Sequence, residues 1–200
     1  MALSDPSPRR HIHTRHVTCC GYRRDDGLWD IEGHLTDVKT YGFHTVHRGE
    51  IEPGDPVHGM RIRLTITDDF VVTAIEAVIE KSPFDICGGI TGAFQQLVGL
   101  TIGAGWTRAI KERLAGIKGC THLTELLAPI ATTAFQTIYP VLVRERAAAA
   151  AIAAAAAEAE GRKPLPAARP ALLDVCHVFD SSGAFVREHW PDHYTGGPTA

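Results

Sequence analysis

The stretch "GCTHLTELL" places Cys120 and His122 two residues apart where an apolar helical period begins. A helix N-terminus gathers free N–H groups and partial positive charge, so a cysteine there is a candidate thiolate and the histidine beside it a candidate ligand or base. The pair also reads as packing, with Cys120 a small buried residue beside Gly119 and His122 a partner for the first turn. A second group, "GYRRDDGLWDIEGH", gathers Tyr22, Arg23, Arg24, Asp25, Asp26, Asp30, Glu32 and His34. Arginines can clamp a carboxylate, and a histidine or tyrosine in a partly apolar pocket can move a proton near neutral pH. The competing reading is a salt-bridged hairpin. Arg61 and Arg63 alternate with apolar residues and are either donors to an anionic ligand or simply solvated. His11, His13 and His16, in "HIHTRH", have metal-ligand chemistry on a segment expected to fray.

These residues need elements to position them. "TCCGYRRDDGLWDIEGHLTDVK" predicts two strands joined at Asp25-Asp26-Gly27, because Asp-Gly supplies the positive backbone angles of a tight hairpin. Trp29, Ile31, Gly33 and Leu35 share one face of the second strand, and Asp30, Glu32 and His34 the other. Residues 41–56 predict a loop. Met60, Ile62, Leu64 and Ile66 alternate with Arg61, Arg63, Thr65 and Thr67, a period of two that specifies a half-buried strand, and "FVVTAIEAVIEKSP" supplies its partner. Beyond Pro83 the period becomes helical: Phe94, Leu97, Val98 and Thr101, then Trp106, Ala109, Ile110 and Leu114, then Leu123, Leu127, Ile130, Ala134 and Ile138, with Pro140 expected to interrupt or kink the third helix. Gly99, Gly103 and Gly105 read as close helix packing. Strands followed by helices specify an α+β fold, an antiparallel meander packed against three or more helices.

The organisation follows: a flexible segment over 1–16, one α+β domain over 17–146, an Ala-rich helix and Pro-rich linker over 147–170, and an aromatic tail over 171–200 expected to dock on the domain or a partner subunit. A chain of 200 residues with 44% hydrophobic content supports one core of this size. A net charge of -3 gives no broad reason to bind nucleic acid. No run reaches the ~20 apolar residues of a membrane span, and no signal-like segment leads the chain, so the expectation is a cytoplasmic protein without a membrane partner. Five cysteines then imply reduced thiols.

"GYRRDDGLWDIEGHLTD", "PGDPVHGMRIRLTI", "LVGLTIGAGW" and "GCTHLTELL" together resemble a bacterial family known only as a domain of unknown function, number 2889, across roughly residues 10–140. From "GDPVHGMRIRLTI" through "GCTHLTELLAPIATTAFQTI" the order of elements also resembles the iron–sulfur cluster scaffold proteins. That resemblance implies ligands near Cys87 and Cys120, with His122 beside them, His58 where the scaffolds have a first cysteine, and Asp55 at the acidic position. A mixed imidazole, thiolate and carboxylate set suits zinc better than a cluster. Taken alone, Cys87 reads as a buried hydrophobe and His58 as a strand-end surface residue.

The expected function is a small-molecule enzyme, cofactor-free or using one divalent metal, zinc first. The reaction expected is a retro-aldol C–C cleavage that releases an aldehyde such as formaldehyde from an aromatic or carboxylate-bearing catabolic substrate, since no activated nucleophile is visible. His58 or His122 would be the base, Tyr22 and Arg24 would assist, and Arg61, Trp29, Asp30 and His34 would bind substrate. A metal or iron–sulfur carrier, and an assembly module that homodimerises through the Ala-rich helix and tail, are the alternatives.

Overall fold

The computed structural model describes residues 2–159, 169–170 and 172–197. Four long strands, β1 (His13–Arg23), β2 (Trp29–Lys39), β5 (Pro56–Ile66) and β6 (Val72–Lys81), form an antiparallel sheet in the order β1-β2-β5-β6. The expected α+β class and meander are therefore present. The hairpin turns where Asp-Gly predicts, with Gly27 at φ 85. β1 begins at His13, inside the segment expected to be a flexible lead, because its residues pair with β2 as far as Lys39. A short hairpin of β3 (Phe43–Thr45) and β4 (Gly49–Ile51) lies within the expected loop.

The helices depart more from expectation. Asp85–Leu97 is a 13-residue 3-10 helix rather than an α-helix. Gly88, Gly89 and Gly92 weaken the α form there, and the buried pair Phe94 and Leu97 has the three-residue spacing that a 3-10 helix stacks on one side. Thr101 is extended, bridging to Val71, while Gly99 N–H donates to Val72 O at 2.8 Å. Gly99 and Gly105 have φ of 85 and 89 and no neighbour near a Cβ position, so they turn the chain instead of packing helices. Helix α1 (Trp106–Leu114) follows as expected.

Helix α2 runs without a break over Thr121–Ala159, through both Pro129 and Pro140. Pro140 is exposed, so water can satisfy the carbonyl it frees, while Ile138 and Leu142 on either side are buried and anchor the helix across it. By length and composition α2 could cross a bilayer, with a mean hydropathy of 1.5 over its most apolar window. The sequence count missed this because the third helix and the Ala-rich run fuse into one element. Its apolar stripe is nevertheless used inside the protein: Leu123, Leu126, Leu127, Ile130, Ala134 and Ile138 are fully buried in the core, alongside Trp29, Ile31, Leu35, Met60, Ile62 and Leu64 from the sheet.

Two strand glycines set the approach of α2 to the sheet. A Cβ at Gly33 would lie 2.6 Å from Ile130 Cδ1, and one at Gly21 would overlap Thr137. Arg15 pairs with Glu125, and Arg23 with Glu145, so the helix lies along β1 in the same direction. The two intervals match, each roughly 30 Å at ~3.4 Å per strand residue and ~1.5 Å per helix residue. The start of α2 is thereby fixed over the ends of β2 and β5 where Asp37 and His58 lie.

The chain divides into two compact units, Met1–Arg146 and Ala147–Ala200. In the second, the described residues include a short helix α3 (Ala184–His189) and a cluster of Phe179, Phe185 and Trp190 with ring centroids 5.4–5.6 Å apart. Most of the Pro-rich linker, residues 160–168, lies outside the described residues.

Candidate functional site: a carboxylate among histidines

The inward face of β2 reads Trp29, Ile31, Gly33, Leu35 and then Asp37, so the alternation that builds the core ends on an acid that is only 3% exposed. A carboxylate at that depth needs partners. Asp37 is paired with Arg15 on β1 and with His58 on β5. Arg15 donates from Nε to Oδ1 at 2.8 Å and from Nη2 to Oδ2 at 2.9 Å. His13 Nε2 lies 3.0 Å from Oδ1, and His58 Nδ1 lies 3.0 Å from Oδ2. A carboxylate has about four lone-pair sites, and all are taken.

His122, in the first turn of α2, completes the centre. Its ring stacks on that of His58, with centroids 3.8 Å apart at 31°, and its Nε2 lies 3.8 Å from Asp37 Oδ2. Asp37, His58 and His122 offer ligand atoms that all lie within 4.8 Å of one another. His58 is largely covered and His122 partly open, so the centre sits at the protein surface with its carboxylate beneath it.

The charge states follow from this geometry. Burial opposes ionisation of Asp37, but the hydrogen bonds and charge of Arg15, helped by His58 and His13, outweigh it and hold the carboxyl below its usual range. Arg15 is correspondingly raised, chiefly by its hydrogen bond with Asp37. Burial and the neighbouring His122 lower the His58 imidazole, against the pull of Asp37. An ionised carboxylate only accepts, so Nδ1 of His58 carries the hydrogen and Nε2 keeps its lone pair.

The sequence-predicted residues divide among three places. His58 and His122 meet at this centre. Cys87 and Cys120 line one cavity of about 430 Å³ with Ile86, Gly89, Ile90 and Gly119. Cys120 caps the start of α2, its carbonyl accepting from Thr124 N–H at 2.8 Å, and its Sγ lies 4.0 Å from Met60 Sδ. Asp55, expected as the acidic ligand, is exposed in a turn, its N–H donating to Glu52 O, and the carboxylate grouped with His58 and His122 is that of Asp37. Cys87 lies inside the 3-10 helix and is half-buried, not the buried hydrophobe that it reads as on its own.

The hairpin group is spread over other surfaces. Trp29 is 1% exposed in the core and donates from Nε1 to Asp68, so it cannot line a substrate site. Arg24 is forked on Asp26 and reaches Asp30, which also accepts from Thr65 Oγ1, the salt-bridged reading of that loop. Tyr22, His34 and Arg61 line a groove of about 360 Å³ on the opposite face of the sheet. There Arg61 is paired with Glu80, and the neighbouring Cys20 thiol raises the Tyr22 hydroxyl.

Asp37 and Arg15 have no place in the sequence reading of the site, and His13 enters it only as a ligand-type histidine on a segment expected to fray. The signal for Asp37 was present as an acid continuing an apolar alternation. Counting back eight positions from Arg23 and forward eight from its hairpin partner Trp29 puts Arg15 opposite Asp37.

A family described as "Protein of unknown function (DUF2889)" matches residues 13–136. The chain belongs to the DUF2889 family. No curated protein and no solved structure matches it. The DUF2889 region starts at the first residue of β1 and ends within α2, so it holds all five members of the histidine centre.

Proposed function

We propose that this DUF2889 protein is a small-molecule lyase working by acid–base chemistry at the Asp37–His58–His122 centre. The observation that carries the reading is the His58 hydrogen bond to a buried, Arg15-paired Asp37. It fixes the imidazole tautomer and leaves Nε2 free to take a proton, while burial favours the neutral ring. In a retro-aldol cleavage His58 Nε2 removes the hydroxyl proton, the C–C bond breaks, the aldehyde departs, and the carbanion left behind is protonated. The half-open His122 is the acid for that last step. The cavity at Cys120, two residues before His122 in the chain, is lined by isoleucine, cysteine and glycine and suits an apolar or aromatic substrate body. Five free cysteines fit a reducing, cytoplasmic setting.

The test is a panel of aromatic and carboxylate-bearing β-hydroxy compounds, assayed for released aldehyde by trapping. Wild type is expected to turn over at least one, and His58→Gln to lose at least ~100-fold, within the usual range for removing a general base. Aldehyde release that His58→Gln leaves unchanged, or no release from any member, defeats the reading. The carrier alternative draws support from Cys87 and Cys120 sharing a cavity, and from the resemblance to iron–sulfur scaffolds. It wants more thiolates than that cavity supplies among the described residues.

A further inference from the structure

We infer that Asp37, His58 and His122 form a binding site for one first-row divalent cation, with oxygen and nitrogen ligands and no thiolate. Three features carry the inference. Nδ1 of His58 and Nε2 of His122 lie 3.0 and 3.8 Å from the same oxygen, Asp37 Oδ2, and every pair of ligand atoms is within 4.8 Å. Atoms bonded to a common zinc at ~2.0–2.2 Å cannot be more than about 4.4 Å apart, so only a small inward shift closes the set on one ion. The carboxylate is also held from behind, Arg15 gripping both oxygens and His13 bonding Oδ1, which is how outer-shell partners aim a ligand at a metal. Finally, the three ligands come from three elements, β2, β5 and the first turn of α2, whose relative positions are set by sheet pairing and by the Gly33–Ile130 contact.

The cation would replace one hydrogen bond. It takes the place of the His58 Nδ1 hydrogen, the ring moving its proton to Nε2, so no net proton leaves the protein. The cation-bound and hydrogen-bonded forms of His58 therefore exclude each other. Arg15 already neutralises Asp37, so the site should hold its ion less tightly than a set of thiolates would, and chelators should strip it. Two imidazoles and one carboxylate leave coordination positions open toward solvent on the His122 side. This inference does not depend on the lyase reading, because binding is measured without substrate.

Full-length protein stripped with EDTA is titrated with Co²⁺ and, separately, Zn²⁺, by calorimetry and visible absorption. One equivalent is expected, with d–d bands but no thiolate-to-metal charge-transfer band. His58→Gln and His122→Gln should each weaken binding by about 100-fold or more, since even outer-shell losses cost about 10–100-fold. Cys87→Ser and Cys120→Ser should leave it unchanged. Should the histidine variants lose the near-UV spectrum of the metal-free protein, X-ray absorption at the zinc edge of wild type decides, with nitrogen and oxygen scatterers expected. No stoichiometric binding, sulfur in the first coordination shell, or full affinity in folded His122→Gln overturns the site.

Discussion

Asp37 is the residue on which the inward end of the sheet depends. Asn at this position keeps the shape but turns an amide NH₂ toward groups that are themselves donors, so Asp37→Asn should cost about 3 kcal/mol, the upper end for hydrogen bonds to charged groups. Urea unfolding measures it, and a loss under 1 kcal/mol would mean that the cluster is not satisfied through this carboxylate. The pH dependence separates the two shifted groups in EDTA-treated protein. His58 is depressed, so the unfolded chain binds its proton first: stability declines as pH falls below ~6.5 and levels off under the folded value. Asp37 is also depressed: its contribution is complete above ~3.9 and is lost as pH falls through its lower folded value. Around His58 the charged and titratable groups are Asp37 on β2, Arg15 and His13 on β1, and His122 on α2. His58→Gln should abolish the first decline and spare the second. A wild-type urea midpoint that stays flat from about pH 6.5 to 5 would contradict the burial of His58. Of this centre, Asp37 and Arg15 were legible from alternation and hairpin register, whereas the meeting of His58 with His122 was not. It depends on where α2 begins in space, which no local pattern encodes.

At the scale of elements, hydrophobic period recovered what had a clean period: the β1–β2 hairpin, β5, β6, α1 and the buried stripe of α2. It failed where backbone chemistry overrides period. Three glycines turn the segment before Leu97 into a 3-10 helix, and positive φ at Gly99 and Gly105 makes turns of glycines that composition suggests are packing residues. The packing glycines are Gly33 and Gly21, which stand in strands and let α2 lie close against the sheet. Gly33→Ala should therefore destabilise by about 1–3 kcal/mol, the usual cost of overpacking, despite the better strand propensity of alanine. Ile130→Ala opens space at the same contact, so the double variant should lose less than the sum of the single losses. Thermal or urea unfolding of all four proteins supplies the cycle, and strict additivity would show that the 2.6 Å approach to Ile130 Cδ1 does not set the helix position.

For the whole molecule, the family match covers all of the main core cluster except Ile138 and Leu142. Every residue of the main core cluster lies between Trp29 and Leu142, and the DUF2889 match covers 13–136, both inside the unit Met1–Arg146. The histidine centre and the Arg23–Glu145 ion pair also belong to that unit. A fragment ending at Arg146 should thus keep the near-UV signature of Trp29 and Trp106, bind Co²⁺ with the affinity of the full chain, and show the same decline in stability below pH ~6.5. Residues 147–200 carry the Ala-rich part of α2, exposed along most of its length, and the aromatic cluster around Trp190. An exposed alanine helix is held by propensity more than by packing, so in isolation it is marginal, and a second copy of the chain is one way to stabilise it. Sedimentation of the full chain beside the fragment tests that assignment: a dimer that becomes a folded monomer on truncation gives residues 147–200 the assembly role. Equal association states would remove it, and an unfolded fragment would show that the unit bounded at Arg146 is not self-sufficient.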